Sequence, residues 1–254
     1  MTLDVADLPG AGPAVVLLHE GLGCIAMWRG VPAALHDATG RRVVTYSRAG
    51  YGHSPPVALP RPVTYMHDEA DVVLPALLAQ LGIEAPVLVG HSDGASIALL
   101  YRGPVTARVV LAPHVVVEDI SVTSIAAART AYETTDLRAK LARYHDDVDV
   151  AFRGWNDVWL SDEFRSWDIT DRLPAITEPV LAIQGEADAY GTLRQLDLIE
   201  AGVGGPFRRL VVGGVGHAPH LEAPDVVVSA ITEFITHPAP PITRSASPDG
   251  VEQP

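Results

Sequence analysis

Residues 87–101 constrain this chain more than any other stretch. Val87-Leu88-Val89 is a continuous apolar run, and Ala95-Ser96-Ile97-Ala98-Leu99-Leu100-Tyr101 is an amphipathic helical segment. Only Gly90-His91-Ser92-Asp93-Gly94 separates them. A strand, a tight turn and a helix must therefore meet at Ser92. Glycines two positions before and after the serine let the backbone turn where a Cβ would clash. The turn pushes the hydroxyl into the open at a helix N-terminus, where the helix dipole favours developing negative charge. A serine held this way is a candidate nucleophile, whereas a serine that merely caps a helix is commonplace.

The same rhythm runs along most of the chain. Strands are expected over Ala14 to His19, Arg42 to Tyr46, Val87 to Gly90, Ala107 to Leu111, Val180 to Gln184 and Phe207 to Val212. Helices are expected over Ala26 to Ala38, Thr64 to Leu81, Ser92 to Tyr101, Thr192 to Ala201 and Ala223 to Ile235. Apolar strands alternating with amphipathic helices predict an α/β fold, a mostly parallel central sheet flanked by helices. Such sheets carry their sites at the carboxyl ends of the strands. Residues 114–174 break the rhythm. They contain helical pieces (Val122 to Tyr132, Asp136 to Tyr144), then an aromatic-rich part with Phe152, Trp155, Trp159, Phe164 and Trp167. They read as a helical cap inserted over the carboxyl edge of a core formed by 1–113 and 175–236. Residues 237–254 are rich in proline and serine, with little to bury, and read as a disordered tail.

Composition narrows the partners. A net charge of −13 argues against nucleic acid and anionic membrane. Cys24 is the only cysteine, so no intrachain disulfide and no thiolate metal cluster can form. It reads as a small packed residue. The N-terminal segment is acidic and unlike a signal peptide, and no apolar run is long enough to span a bilayer. The expectation is a cytoplasmic protein acting on a small molecule, without metal or cofactor, either alone or as a homodimer.

A nucleophilic Ser92 needs a base, an orienting acid and an oxyanion site, each just after a strand. His217 sits in Gly213-Gly214-Val215-Gly216-His217, after the strand ending at Val212, and is the candidate base; His220 is its competitor. Asp188, in Ile183-Gln184-Gly185-Glu186-Ala187-Asp188, is the candidate acid, with Glu186 competing from the same loop. The oxyanion donors should be backbone N–H groups: that of Asp93, after the serine, and that of Gly21, in the loop His19-Glu20-Gly21-Leu22-Gly23 after the first strong strand. Leu22, Met27, Trp28, His114, Trp155, Trp159 and Tyr190 are candidate pocket residues, although the cap tryptophans serve equally well to pack the cap on the body. His53, His67 and His145 read as ordinary surface or helix residues, and the His91 side chain should point away from Ser92.

These motifs together resemble the α/β-hydrolase family over roughly Pro13 to Thr236. The resemblance rests on the His-x-Gly-x-Gly loop at His19, the turn Ser47-Arg48-Ala49-Gly50-Tyr51-Gly52-His53-Ser54, the elbow at Ser92, the Gly-x-x-Asp loop at Asp188, and Gly216-His217, in the family order serine, acid, histidine. The chain is also similar to a bacterial subgroup with His-Glu-Gly-Leu-Gly and Ala131 to Arg138 in the cap. It departs from the family in Glu20 and Ala49, where glycines are usual, and in an opening antiparallel region that looks shortened. A serine at 92 disfavours the family's epoxide hydrolases and haloalkane dehalogenases, which use a carboxylate. The resemblance implies a serine hydrolase acting on an ester, lactone or thioester. It leaves open carbon–carbon bond hydrolysis, cofactor-free lyase or cyclase chemistry, and a slow-turnover ligand-binding receptor.

Overall fold

The computed structural model describes residues 2–237; the tail expected from 237 onward lies, from 238, outside the described residues. Among the described residues seven strands form one sheet: β1 Asp4–Leu8, β2 Val15–Leu18, β3 Val43–Ser47, β4 Val87–His91, β5 Ala107–Leu111, β6 Val180–Gly185 and β7 Phe207–Val212. Their order is β1-β3-β2-β4-β5-β6-β7. β1 runs antiparallel to β3 and all other pairings are parallel. The helices are α1 Val31–Thr39, α2 Tyr65–Asp68, α3 Leu74–Gln80, α4 Asp93–Leu100, α5 Asp119–Thr134, α6 Leu137–Leu141, α7 Val148–Trp159, α8 Arg194–Gly202, α9 Pro219–Glu222 and α10 Pro224–Thr236. None of them is long and apolar enough to cross a membrane.

Side-chain alternation along the strands splits the core in two. Val16, Leu18, Val44, Tyr46, Leu88 and Val110 face one layer, with residues of α3, α4 and α8. Val15, Leu17, Val43, Val87, Val89 and Val109 face the other, with α1 and α10. Burial on both faces is why these strands are continuous apolar runs.

Four departures from the expected elements have local causes. β1 (DVADL) was not expected as a strand. It is a half-exposed edge carrying two aspartates, so it lacks the apolar signature of the inner strands. The expected helix from Ala26 to Ala38 is split into a 3-10 turn, Ile25–Trp28, and α1, because Arg29 adopts φ 52°. The expected helix from Thr64 to Leu81 is continuous but widens to a π-turn at Glu69–Val73. Pro75 lies two residues beyond it, and its ring and missing N–H prevent the α-helical bond to Asp71. The aromatic-rich part of 114–174 is largely the helix α7, capped by Asp147, whose carboxylate accepts from the Val150 N–H at 3.0 Å. Val148, Ala151, Phe152, Trp155, Val158 and Trp159 are its buried face, at helical spacing. The helices α5 to α7 lie between β5 and β6 in sequence, and Ile125, Leu141, Trp155 and Trp159 from them border the cavity described next.

Candidate active site

Ser92 joins β4 to α4 with φ 52° and ψ −115°, a strained conformation for a non-glycine residue. The flanking glycines are sterically required. A Cβ on Gly90 would run into the Gly94 carbonyl, and one on Gly94 into the Leu18 carbonyl. Asp93 is the first residue of α4, so its N–H has no acceptor within the helix.

Three loops at the carboxyl ends of strands converge on this turn. The Ser92 hydroxyl donates to His217 Nε2 at 3.0 Å. The opposite ring nitrogen, Nδ1–H, donates to both carboxylate oxygens of Asp188 at 2.9 Å. Asp188 is further held by the Tyr190 N–H at 2.8 Å and the Gln184 amide at 3.2 Å. Burial alone would push the Asp188 carboxyl up, but the contact and charge of His217 and the Tyr190 N–H outweigh it and hold the carboxyl below its usual range. The competitors lie elsewhere. Glu186 is exposed and accepts only from the Gly214 N–H, at 3.3 Å. His220 is buried between Trp28 and His91, with ring centroids 4.8 and 4.6 Å away.

The loop after β2 brings Gly21 beside Ser92, with the Trp155 indole packed directly over Gly21. Arg48, which the sequence did not single out as a site residue, holds this loop from beneath. Its guanidinium donates to the carbonyls of His19 at 2.7 Å and Glu20 at 2.9 Å, and its own N–H donates to His19 Nε2 at 3.0 Å. His145 is not on the surface as expected. It is 5% exposed. It accepts from the Gly52 N–H at 3.0 Å and donates to the Leu22 carbonyl at 2.9 Å, tying the helical segment to the same loop.

The cavity over Ser92 has a volume of about 310 Å³. Leu22, Met27, His114, Trp155, Trp159 and Tyr190 border it, as do Ile125, Leu141 and Leu221, which sequence reasoning missed. The missed residues are apolar positions on amphipathic helices, and nothing in a one-dimensional pattern tells which part of an apolar face meets a cleft. Trp28 does not border the cavity. It follows Met27 in a tight turn, and its ring turns the opposite way, into the core with Val31 and Leu35. Trp167 also stays away from it, stacked on Phe164 at 5.3 Å. Trp159 has a second role: its indole N–H lies 3.0 Å from the Tyr65 hydroxyl and 3.3 Å from the Asp93 carboxylate, which links α7 to the elbow. The Tyr65 hydroxyl in turn donates to Asp93 at 2.6 Å.

His114 is 2% exposed, and burial holds its imidazole down at about 3, in the neutral form. Burial lowers His19, His145 and His220 as well. The folded state keeps these rings neutral, while the unfolded chain protonates them near pH 6.5. The unfolded state therefore binds more protons below that pH, and stability falls as the pH drops. Each ring that stays neutral costs up to about 1.4 kcal/mol per pH unit below 6.5. Thermal unfolding followed from pH 8 to pH 5 should show a falling Tm, and His114→Gln should flatten that slope. A Tm independent of pH over this range would contradict it.

A hydroxyl bonded to an oriented imidazole beneath apolar side chains is an arrangement that can make the hydroxyl a nucleophile. The sequence pattern of the Alpha/beta hydrolase family matches residues 15–230. Curated relatives match over shorter stretches. Epoxide hydrolase A of Mycobacterium tuberculosis (strain ATCC 25618 / H37Rv) is 34% identical over 80 residues, 31% of this chain and 25% of that protein. The sn-1-specific diacylglycerol lipase ABHD11 of Xenopus tropicalis is 34% identical over 99 residues, 39% of this chain and 30% of that protein. The matched segments thus span about a third or less of those relatives. Among solved structures, the enol-lactonase of Burkholderia xenovorans LB400 superposes with a TM-score of 0.71 at 21% identity, covering 92% of this chain and 96% of that one. A carboxylesterase of the ammonia-oxidizing thaumarchaeon Nitrososphaera gargenis gives a TM-score of 0.74 at 19% identity, covering 92% and 94%. At such identities the likeness is one of fold.

Proposed function

The chain belongs to the alpha/beta hydrolase family, and from that premise we propose that it hydrolyses a small, uncharged and largely apolar carboxylic ester, lactone or thioester through an acyl-enzyme on Ser92. The observation that carries this reading is the unbroken relay from Ser92 Oγ through His217 to Asp188, at 3.0 and 2.9 Å. Ser92 Oγ attacks the carbonyl carbon as His217 Nε2 takes its proton. The tetrahedral oxyanion is received by the N–H groups of Gly21 and Asp93. His217 then gives the proton to the leaving group, and the Ser92 ester remains. A water, deprotonated by His217, attacks that ester and frees the acid. Asp188 keeps the proton of the resting ring on Nδ1 and stabilises the imidazolium formed in each half-reaction. Residues 114–174 act as a cap, roofing the site with Trp155 and Trp159 so that water is excluded where charge develops.

The cavity supports the substrate class. A volume of about 310 Å³ suits a short acyl chain. Among the described residues no lysine or arginine borders it, and Glu20 is the one acidic residue that does. An anionic acyl group would have to shed its water with no counter-charge. Among activated esters of equal length, a butyrate should be preferred over a succinate monoester by at least about tenfold in kcat/KM, the equivalent of about 1.4 kcal/mol. Equal rates would remove the proposed preference for uncharged substrates.

Labelling with a fluorophosphonate tests the chemistry itself. Stoichiometric labelling of Ser92, together with turnover of p-nitrophenyl butyrate, supports the hydrolase. A folded protein that neither labels nor turns over would instead be a ligand-binding member of the fold.

A further inference from the structure

Glu20 stands where the resemblance puts a glycine, and its carboxylate is turned toward the elbow. Oε2 lies 3.4 Å from Nδ1 of His91, the residue before the nucleophile. Nδ1 is buried and has no hydrogen-bond partner beyond this loose contact. The other His91 nitrogen, Nε2–H, donates to the backbone carbonyl of His217 at 2.7 Å. One glutamate and one histidine thus connect three loops: the loop after β2, the turn after β4 and the loop after β7.

Building on the serine-hydrolase reading above, we propose that Glu20 and His91 are positioning residues, a second carboxylate–imidazole pair that fixes His217 through its main chain while Asp188 fixes its ring. The two pairs act on different degrees of freedom. Asp188 sets the rotation and tautomer of the imidazole. The His91 bond sets where the backbone of His217 sits, and so how far Nε2 lies from Ser92. The loop Gly213-Gly214-Val215-Gly216 leading to His217 has three glycines, and Gly214 has φ 70°, so it offers little stiffness of its own.

Glu20 holds the far side of the His91 ring. Its carboxylate lies beside Nδ1, while Nε2–H, across the ring, donates to the His217 carbonyl. Burial pushes Glu20 up, but the His91 contact and the neighbouring imidazoles outweigh it and hold the carboxyl well below its usual range. His217, whose ring centroid is 5.2 Å from that of His91, already spends its Nδ1–H on Asp188. Arg48 approaches Glu20 only at its carbonyl. With one edge held against a carboxylate, the His91 ring keeps Nε2–H aimed at the His217 carbonyl.

The test is a double-mutant cycle on the full chain, with p-nitrophenyl butyrate as substrate and thermal unfolding as the control for folding. Glu20→Ala should lower kcat about tenfold, because a small displacement of the base is costly while substrate contacts are kept. KM should stay within about threefold. Glu20→Gln should return kcat to within about threefold of the wild type, because its amide can donate to Nδ1 and leave Nε2–H on the carbonyl. The decisive arm is the His91→Gln background. The glutamine amide supplies the same donor to His217 with no ring for Glu20 to hold, so Glu20→Ala should there cost less than about twofold. Wild-type kcat in Glu20→Ala, or the same loss in both backgrounds, overturns the proposal. If Glu20→Ala does not fold, Glu20→Asp replaces it; it keeps the charge, withdraws the carboxylate by one methylene and should show the same dependence on background. Failure of the hydrolase reading is distinguishable, because the wild type would then neither turn over the ester nor accept the fluorophosphonate.

Discussion

Ser92→Ala should yield a folded protein whose ester turnover is lower by about 10⁴- to 10⁶-fold, the range expected when a covalent nucleophile is removed and only binding and the oxyanion donors remain. The structure explains why folding should be spared. Among the described residues the Ser92 side chain makes one hydrogen bond, to His217 Nε2. The turn is held by the backbone instead: the Ser92 N–H donates to the Leu111 carbonyl at 2.9 Å, and the Ser92 carbonyl accepts from the N–H groups of Ala95 and Ser96. The positive φ is the same burden for alanine as for serine. The stability change should therefore be no more than about 1 kcal/mol, the size of a single hydrogen bond. Initial rates and a thermal melt on the same sample check both halves. Retention of more than a few per cent of the activity would mean that Ser92 is not the nucleophile.

Asp188→Asn should lower kcat by about 10⁴-fold, with KM little changed. An asparagine fills the same volume, but it reverses the hydrogen bonding. Asp188 Oδ1 accepts from the Tyr190 N–H and from His217, while Oδ2 accepts from His217 and from the Gln184 amide. With only one oxygen left, the amide N–H₂ must face one of these donors. If it faces His217, the ring proton moves to Nε2, and the nitrogen beside Ser92 can no longer accept. Glu186→Gln is the matched control, since its carboxylate reaches only an exposed loop N–H. It should leave kcat within about twofold of the wild type. Comparable losses in the two variants would point to a general effect of loop charge and would remove Asp188 from its assigned part.

Much of the fold was legible in one dimension because burial leaves a periodic trace. Inner strands sandwiched between two helical layers must be apolar at every position, and Val15–Leu18, Val43–Ser47, Val87–His91 and Ala107–Leu111 carry that trace with at most one or two polar interruptions. Edges do not. Asp4–Leu8 pairs with β3 through the backbone ladder and a hydrogen bond from the Ser47 hydroxyl to the Asp4 carboxylate, and needs no apolar signature, so its sequence resembles a loop. The break at Arg29 and the π-turn ahead of Pro75 alter the elements locally without changing their order. At the site, Ser92, Asp188 and His217 could be singled out because each follows a strand end and strand ends share one edge of a parallel sheet. Gly90 and Gly94 marked the turn because no larger residue fits between the carbonyls of Leu18 and Gly94.

Position along the chain determined which residues arrive at that edge; only tertiary packing decided how they face one another. Met27 and Trp28 are neighbours of similar polarity, yet one borders the cavity and the other is buried on the far side of the turn. Glu20, His91 and His217 are separated by 71 and 126 residues, and no local pattern links them, yet they form one chain of contacts. The reason is physical. Secondary structure is written in the periodicity of adjacent residues, which hydrophobic burial enforces locally. The direction of a side chain in a loop, and its partner across the sheet edge, are settled by the close packing of elements distant in sequence, and that information exists only once the chain has folded.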